Sequence, residues 1–149
     1  MESNIPFEKR LTFEIFDREG APEIAQVADA LRAEVALRFG PRGETPLTIV
    51  AKDESGAIIG GLDGASHWRW VYVRRFWLAP AWRGQGLGRR LLQEAEAEGR
   101  ARSCVGVYLD TFDERTAAFY EHCGFAQFGR IDDFPPGASR IFLMKRLDG

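Results

Sequence analysis

The segment Trp70 to Leu78, WVYVRRFWL, is aromatic and aliphatic apart from Arg74 and Arg75, and it is stopped at Pro80. Shortly afterwards the chain reads Arg83-Gly84-Gln85-Gly86-Leu87-Gly88. From Gln85 or Gly86 it takes up helical spacing through Arg100, with Leu87, Leu91, Leu92 and Ala95 on one side. A strand that feeds through glycines into a helix constrains the chemistry as well as the fold. The first turn of a helix leaves backbone N–H groups without partners and carries a partial positive charge. Glycines there let an anion approach the backbone, and Arg83, Arg89 and Arg90 add charge suited to phosphate oxygens. The same glycines would also suit a tight turn that only packs, so the motif alone leaves both readings open. Nucleotide loops fit poorly. A P-loop ends in Gly-Lys-Ser/Thr where this turn has Leu87-Gly88-Arg89, and a dinucleotide fold places its glycines after a first strand rather than a fourth.

The rest of the chain supplies the frame. Leu11 to Phe16 alternates apolar and polar residues, the period of a half-buried strand. Pro22 to Phe39 is helical, with Ile24, Val27, Leu31, Val35 and Leu37 or Phe39 along one side; Pro22 suits the first helical position, and Gly40-Pro41 ends the helix. Leu47 to Lys52 and Ala57 to Leu62 are short strands around the turn Asp53-Glu54-Ser55-Gly56. Val105 to Leu109 is a buried strand, Glu114 to Cys123 a short helix, and Phe125 to Ile131 and Arg140 to Leu147 are closing strands. The order βαβββαβαββ is an α/β (α+β) pattern, and it packs as a mixed central sheet of about seven strands with helices on both faces.

At 149 residues the expectation is one domain, residues 1–149, large enough to bury roughly 68–70% of its unfolded surface. A net charge of -2 gives no basic stripe for nucleic acid. Cys104 and Cys123 have no metal-like pairing, so no metal is expected and a reducing cytoplasm is the simpler context. Met1 to Arg10 is charged and lacks an apolar run, which reads as neither signal peptide nor membrane span.

Arg83-Gly84-Gln85-Gly86-Leu87-Gly88 resembles the R/Q-x-x-G-x-G/A turn of the GNAT superfamily of N-acetyltransferases. Residues 113–125, DERTAAFYEHCGF, resemble its second signature, N-x-x-A-x-x-x-Y-x-x-x-G-F, with Asp113 for the usual Asn and Thr116 for the usual Ala. The resemblance spans nearly the whole chain, and it implies the GNAT acyl-CoA N-acyltransferase fold and acetyl-CoA as co-substrate. It further implies that the strand before the turn splays from its neighbour, so that the backbone of Phe76, Trp77 and Leu78 bonds the pantetheine arm. The pyrophosphate would lie on the amides of Arg83, Gly84, Gln85, Gly86, Leu87, Gly88 and Arg89.

Tyr120 corresponds to the family's frequent general acid, and a phenol with an ordinary pKa of about 10 is protonated at neutral pH. On residues alone it reads instead as a half-buried tyrosine on the amphipathic face of a short helix, like Phe119. Asp113 stands where Asn contacts the pantetheine region, but a carboxylate cannot donate, and the residue is also well placed as a helix N-cap. Many relatives use a Glu of the central strands as general base, and no carboxylate lies on the aromatic strand here. The resemblance implies Asp110 instead, which lies near where some relatives place an acidic base, against a structural role in the following loop, and an ordered water is the alternative. His67 reads as a surface residue of a hairpin turn, and Cys123 as a small buried hydrophobe rather than a nucleophile. Asp132 and Asp133 fall in a loop that borders the acceptor pocket in this fold. Arg69, Arg74 and Arg75, if strictly alternating, could not all face one side. The expected reaction is acetyl transfer to a primary amine by direct attack in a ternary complex, with the backbone N–H of Leu78 steadying the oxyanion. The lack of an appended recognition region favours a small-molecule acceptor over a protein or peptide one, and a non-catalytic acyl-CoA-binding module is the rival class. Many relatives dimerise through terminal strands, which makes Arg140 to Leu147 a candidate homodimer edge beside the monomeric alternative.

Overall fold

The computed structural model describes residues 6–149, and the chain divides into two compact units, Met1–Gly40 and Pro41–Gly149. In the first unit a 3-10 turn, Phe7–Arg10, precedes helix α1, Pro22–Phe39. Pro22 opens α1, and Gly40, at φ 78°, closes it by donating its N–H to the Ala36 carbonyl at 2.9 Å. Met1 to Ile5, part of the charged N-terminal stretch, lie outside the described residues. No described helix is long and apolar enough to cross a membrane.

The strand expected over Leu11 to Phe16 does not form: the segment joins no ladder, and Phe13 and Ile15 are 82% and 96% exposed. Alternation specifies which face a strand would bury, but an extended segment also needs a partner for its backbone groups. The sheet accordingly has six strands rather than seven.

All six strands belong to the second unit: β1 Thr45–Lys52, β2 Ile58–His67, β3 Trp70–Leu78, β4 Gly106–Thr111, β5 Ala126–Asp132 and β6 Ser139–Arg146. Helix α2, Leu87–Ala101, joins β3 to β4, and α3, Glu114–His122, joins β4 to β5. The spatial order is β1-β2-β3-β4-β6-β5, with β3 and β4 parallel and every other neighbouring pair antiparallel. The candidate dimer edge over Arg140 to Leu147 is thereby corrected: β6 is interior, inserted between β4 and β5. The α3 crossover lands β5 one place beyond its neighbour and leaves a slot that the last strand fills.

Strand β2 runs five residues past the expected end at Leu62, to His67, with Gly60, Gly61 and Gly64 all strand residues. A Cβ on Gly61 would lie 2.7 Å from the Ile49 carbonyl oxygen, so a side chain there would force β1 and β2 apart.

One face of the sheet carries the core. Val71, Val73, Val107, Leu109, Ile141 and Leu143 are buried against Leu91, Leu92 and Ala95 of α2 and Ala117 and Tyr120 of α3. At roughly 1.5–3 kcal/mol per buried aliphatic side chain, this layer fixes α2 and α3 over the junction of β3 and β4. Gly88 lets the two helices meet, since a Cβ there would stand 3.0 Å from the Phe119 ring.

Candidate active site

The site begins with a break in the sheet. Asp63 faces Arg75 and Gly64 faces Val73, which leaves Arg74 as the extra residue of a β-bulge. The parallel ladder between β3 and β4 ends at Val73 opposite Leu109, although β3 continues to Leu78 and β4 to Thr111. Beyond that point β3 bonds only β2, and β4 bonds only β6. The strands part, and a cavity of about 450 Å³ opens between residues 73–77, residues 110–112, and Thr116 and Tyr120 of α3. The Ala79 N–H bonds Ile59 on the β2 side at 2.8 Å. Because successive N–H groups of an extended chain point to opposite edges, those of Phe76 and Leu78 face the gap.

At the end of β3 a short 3-10 turn, Pro80–Trp82, leads into Arg83-Gly84-Gln85-Gly86. Gly84 and Gly86 take φ values of 72° and 90°, which suit glycine, and a Cβ on either would meet nothing within 4 Å. Their freedom serves the turn and leaves open space over the backbone. Arg83 and Gln85 brace the turn, with Arg83 Nε donating to the Leu78 carbonyl at 3.1 Å and Gln85 Nε2 to the Ala81 carbonyl at 2.8 Å. Arg90 is the first residue of the helix to place its N–H, on the Gly86 carbonyl at 3.1 Å. The amides of residues 84–89 make no backbone bond outside the helix, and the helix offers its first residues no partner. Arg89 bonds the His122 carbonyl at 3.2 Å and so ties this end of α2 to α3.

Tyr120 is 3% exposed and lines the cavity. Its ring lies 6.0 Å from that of Phe76 and 5.6 Å from that of Phe119. Burial pushes its pKa well above the ordinary tyrosine value, and Asp110 and Cys123 add to the shift. The side chain is thus held as a neutral phenol.

Asp113 caps α3. Its carboxylate accepts from the Arg115 and Thr116 N–H groups at 3.3 Å each and from the Thr116 hydroxyl at 2.9 Å. The Thr116 hydroxyl, with the two amides, holds its pKa below the usual carboxylate value. Thr116, the other departure from the family pattern, is therefore the hydroxyl partner of the first.

Asp110 lies in the cavity wall with both oxygens engaged: Tyr72 donates its hydroxyl to Oδ1 at 3.2 Å, and Arg140 Nε donates to Oδ2 at 2.8 Å. Burial and the Asp110 charge push the Tyr72 pKa up. The Arg140 guanidinium sits within 5.1–5.6 Å of the Phe112, Phe134 and Phe142 ring centres. This clasp ties β3, β4 and β6 together where the strands part. Arg140 appeared in the sequence only as the start of a strand, and its role depends on a register that brings Ile141 opposite Thr111.

The remaining candidates divide. Phe76 and Trp77 line the gap, Phe76 half-buried and Trp77 52% exposed. Asp132 and Asp133 border a separate cavity of about 510 Å³ that also includes Phe112, Asp113 and Ser139, and the Ser139 hydroxyl bonds Asp132 at 3.0 Å. His67 pairs with Trp70 at the opposite end of β3, away from the gap. Its Nδ1 is buried without a partner, and desolvation lowers its pKa. Cys123 is buried and its thiol pKa is raised by desolvation, which disfavours a nucleophilic thiolate. Asp63, which drew no notice in the sequence, binds Arg75 through both oxygens, at 2.9 and 2.7 Å, with Arg74 Nη1 3.8 Å from Oδ2. Arg74 and Arg75 therefore do reach one side: the bulge breaks the alternation that would have separated them.

The parted strands β3 and β4 thus hold a buried tyrosine in their gap, and β3 leads on to a glycine turn whose amides have no backbone partner. The chain matches the acetyltransferase (GNAT) family over residues 12–125, and it belongs to that family. It is 33% identical over 137 residues to an acetyltransferase of Agrobacterium fabrum, covering 92% of this chain and 100% of that one. It is 38% identical over 117 residues to the blasticidin-S acetyltransferase of Streptomyces morookaense, covering 75% of this chain and 86% of the relative. A crystal structure from Agrobacterium tumefaciens, assigned to the acetyltransferases, superposes with a TM-score of 0.81 at 33% identity over 91% of this chain and 99% of that one. The protein is an acyltransferase of this family.

Proposed function

We propose that the protein transfers the acetyl group of acetyl-CoA to a primary amine of a small-molecule acceptor, directly and within a ternary complex. The observation that carries this reading is that β3 borders the gap beside Tyr120 and leads, through the turn Pro80–Trp82, to the open amides of residues 84–89. The relative named for blasticidin S supports a small acceptor.

In this reading the pantetheine arm lies along the unpaired edge of β3 at Phe76, Trp77 and Leu78. The pyrophosphate rests on the backbone from Arg83 through Arg89. The neutral amine attacks the thioester carbonyl carbon, and the oxygen takes up charge against an edge N–H of Phe76 or Leu78. The C–S bond then breaks with its electron pair on sulfur, and Tyr120 gives its proton to that sulfur. The amine's surplus proton leaves through water and returns to the tyrosinate. The raised pKa of Tyr120 keeps the proton in place until a desolvated thiolate, itself a stronger base than in water, demands it. Asp110, with both oxygens engaged, positions Tyr72 and Arg140 rather than accepting the amine's proton.

The test is thiol release from acetyl-CoA with a panel of primary amines. Amine-dependent release that falls a hundredfold or more in Tyr120→Phe, with acetyl-CoA affinity kept, supports the reading. Tight acetyl-CoA binding with no amine-dependent release would leave an acyl-CoA-binding module instead.

A further inference from the structure

We infer that the acceptor amine carries a carboxylate and that Arg74 is the side chain that reads it; the inference rests on the acetyl-transfer reading above. The bulge brings two adjacent guanidiniums, Arg74 and Arg75, to one carboxylate, Asp63, and both arginines line the gap. Arg75 takes both oxygens of Asp63 in the two-point geometry that guanidinium and carboxylate favour. Arg74 Nη1, at 3.8 Å from Oδ2, is too far for a hydrogen bond. The carboxylate in the wall of the gap, Asp110, is matched by Arg140 at 2.8 Å. One positive charge is left over at the mouth, and it belongs to Arg74.

The donor does not supply its counterion. A thioester and its pantetheine arm are uncharged. The phosphates belong at the glycine turn, beyond Leu78, which lies four residues or about 13 Å of extended chain from Arg74. Holding two like charges side by side costs energy that an incoming anion would relieve. The bulge that aims Arg74 this way depends on Gly64, since a Cβ there would lie 1.7 Å from the Tyr72 carbonyl oxygen. Bulges recur beside active sites for this kind of re-aiming. A planar, permanently charged fork half exposed at the cavity mouth suits a carboxylate better than a second ammonium, which it would repel.

The test uses matched acceptors that differ only in that group: β-alanine, 4-aminobutyrate and phenylalanine, each against its methyl ester, with acetyl-CoA affinity followed by calorimetry. The wild type is expected to favour a carboxylate member at least tenfold in kcat/KM. Arg74→Gln should bring that ratio to within twofold of one by raising KM for the carboxylate member, and Arg74→Lys should recover part of it. Esters used as well as or better than their acids would overturn the inference. So would a preference that survives Arg74→Gln, or acetyl-CoA binding with no acid acetylated. A wild type that fails to bind acetyl-CoA would instead remove the acetyl-transfer reading beneath it.

Discussion

Gly64 and Tyr72 approach so closely that no side chain fits between them: a Cβ on Gly64 would lie 1.7 Å from the Tyr72 carbonyl oxygen and 3.2 Å from the Arg74 nitrogen. The contact is between backbones, so neither partner can swing aside. It fixes the bulge, and the bulge sets where β3 leaves β4 and which way Arg74 faces. Gly64→Ala should therefore destabilise the protein by about 1–3 kcal/mol, the usual cost of overpacking. Acetyl-CoA affinity should fall as well, because the edge of β3 moves. Urea unfolding and calorimetry on the same variant check both effects, and an alanine accommodated without loss of either would mean that the bulge is not pinned there.

Asp113 gives a cleaner separation of cap from cofactor contact. Asp113→Ala removes the acceptor for two amides and one hydroxyl and should cost about 1 kcal/mol. Asp113→Asn should keep most of that stability and leave acetyl-CoA affinity unchanged. The Asp113 pKa is depressed in the fold, so its contribution is present above the unfolded value and lost as pH falls through the folded one. The stability gap between wild type and Asp113→Asn should accordingly shrink on acidification. A drop in acetyl-CoA affinity of tenfold or more in Asp113→Asn would assign the carboxylate to the donor site instead.

Tyr120→Phe should lower kcat by about 10²–10⁴ while acetyl-CoA affinity stays within twofold. Because burial raises the Tyr120 pKa, its neutral form is favoured in the fold. The stability this confers is complete below the ordinary tyrosine pKa of about 10 and is lost as pH rises further. Above pH 10 the wild type should lose stability more steeply than Tyr120→Phe in thermal unfolding followed against pH. Parallel curves would show that the phenol is solvated, contrary to its place in the wall.

Asp110→Asn distinguishes positioning from proton abstraction. An amide oxygen can still accept from Arg140 while its NH2 group donates to the Tyr72 hydroxyl oxygen, so kcat should stay within tenfold of wild type. A general base would cost about 10²–10⁴. A loss of that size, together with disappearance of the acidic limb of the kcat profile, would restore Asp110 as the base.

The sequence was most readable where one residue type admitted one backbone. The bounds of β3 and α1 agree with expectation because Pro80, Pro22 and Gly40 are hard stops. The glycine turn was legible for the same reason, and the burial of Tyr120 follows from the face of α3 it shares with Ala117. What stayed hidden depends on pairing. Gly61 falls inside the expected strand and Gly64 beyond its end, and nothing local shows that another backbone passes too near either for a side chain. Trp68 and Arg69 form the β2–β3 turn at φ 43° and 66° without glycine or asparagine, so the register that brings Asp63 to Arg75 had no local signal. Leu11 to Phe16 shows the converse, a strand period with no strand to join.

The most direct test of the account is calorimetric titration of acetyl-CoA into the wild type and Gly86→Glu. Nothing lies within 4 Å of a Cβ at residue 86, so the variant has room to fold, at a backbone cost of about 1–2 kcal/mol for its φ of 90°. The added carboxylate would stand over the amides assigned to the pyrophosphate. Saturable binding to the wild type and none to folded Gly86→Glu is the result this account predicts. Equal binding to both proteins, or none to a folded wild type, would contradict it.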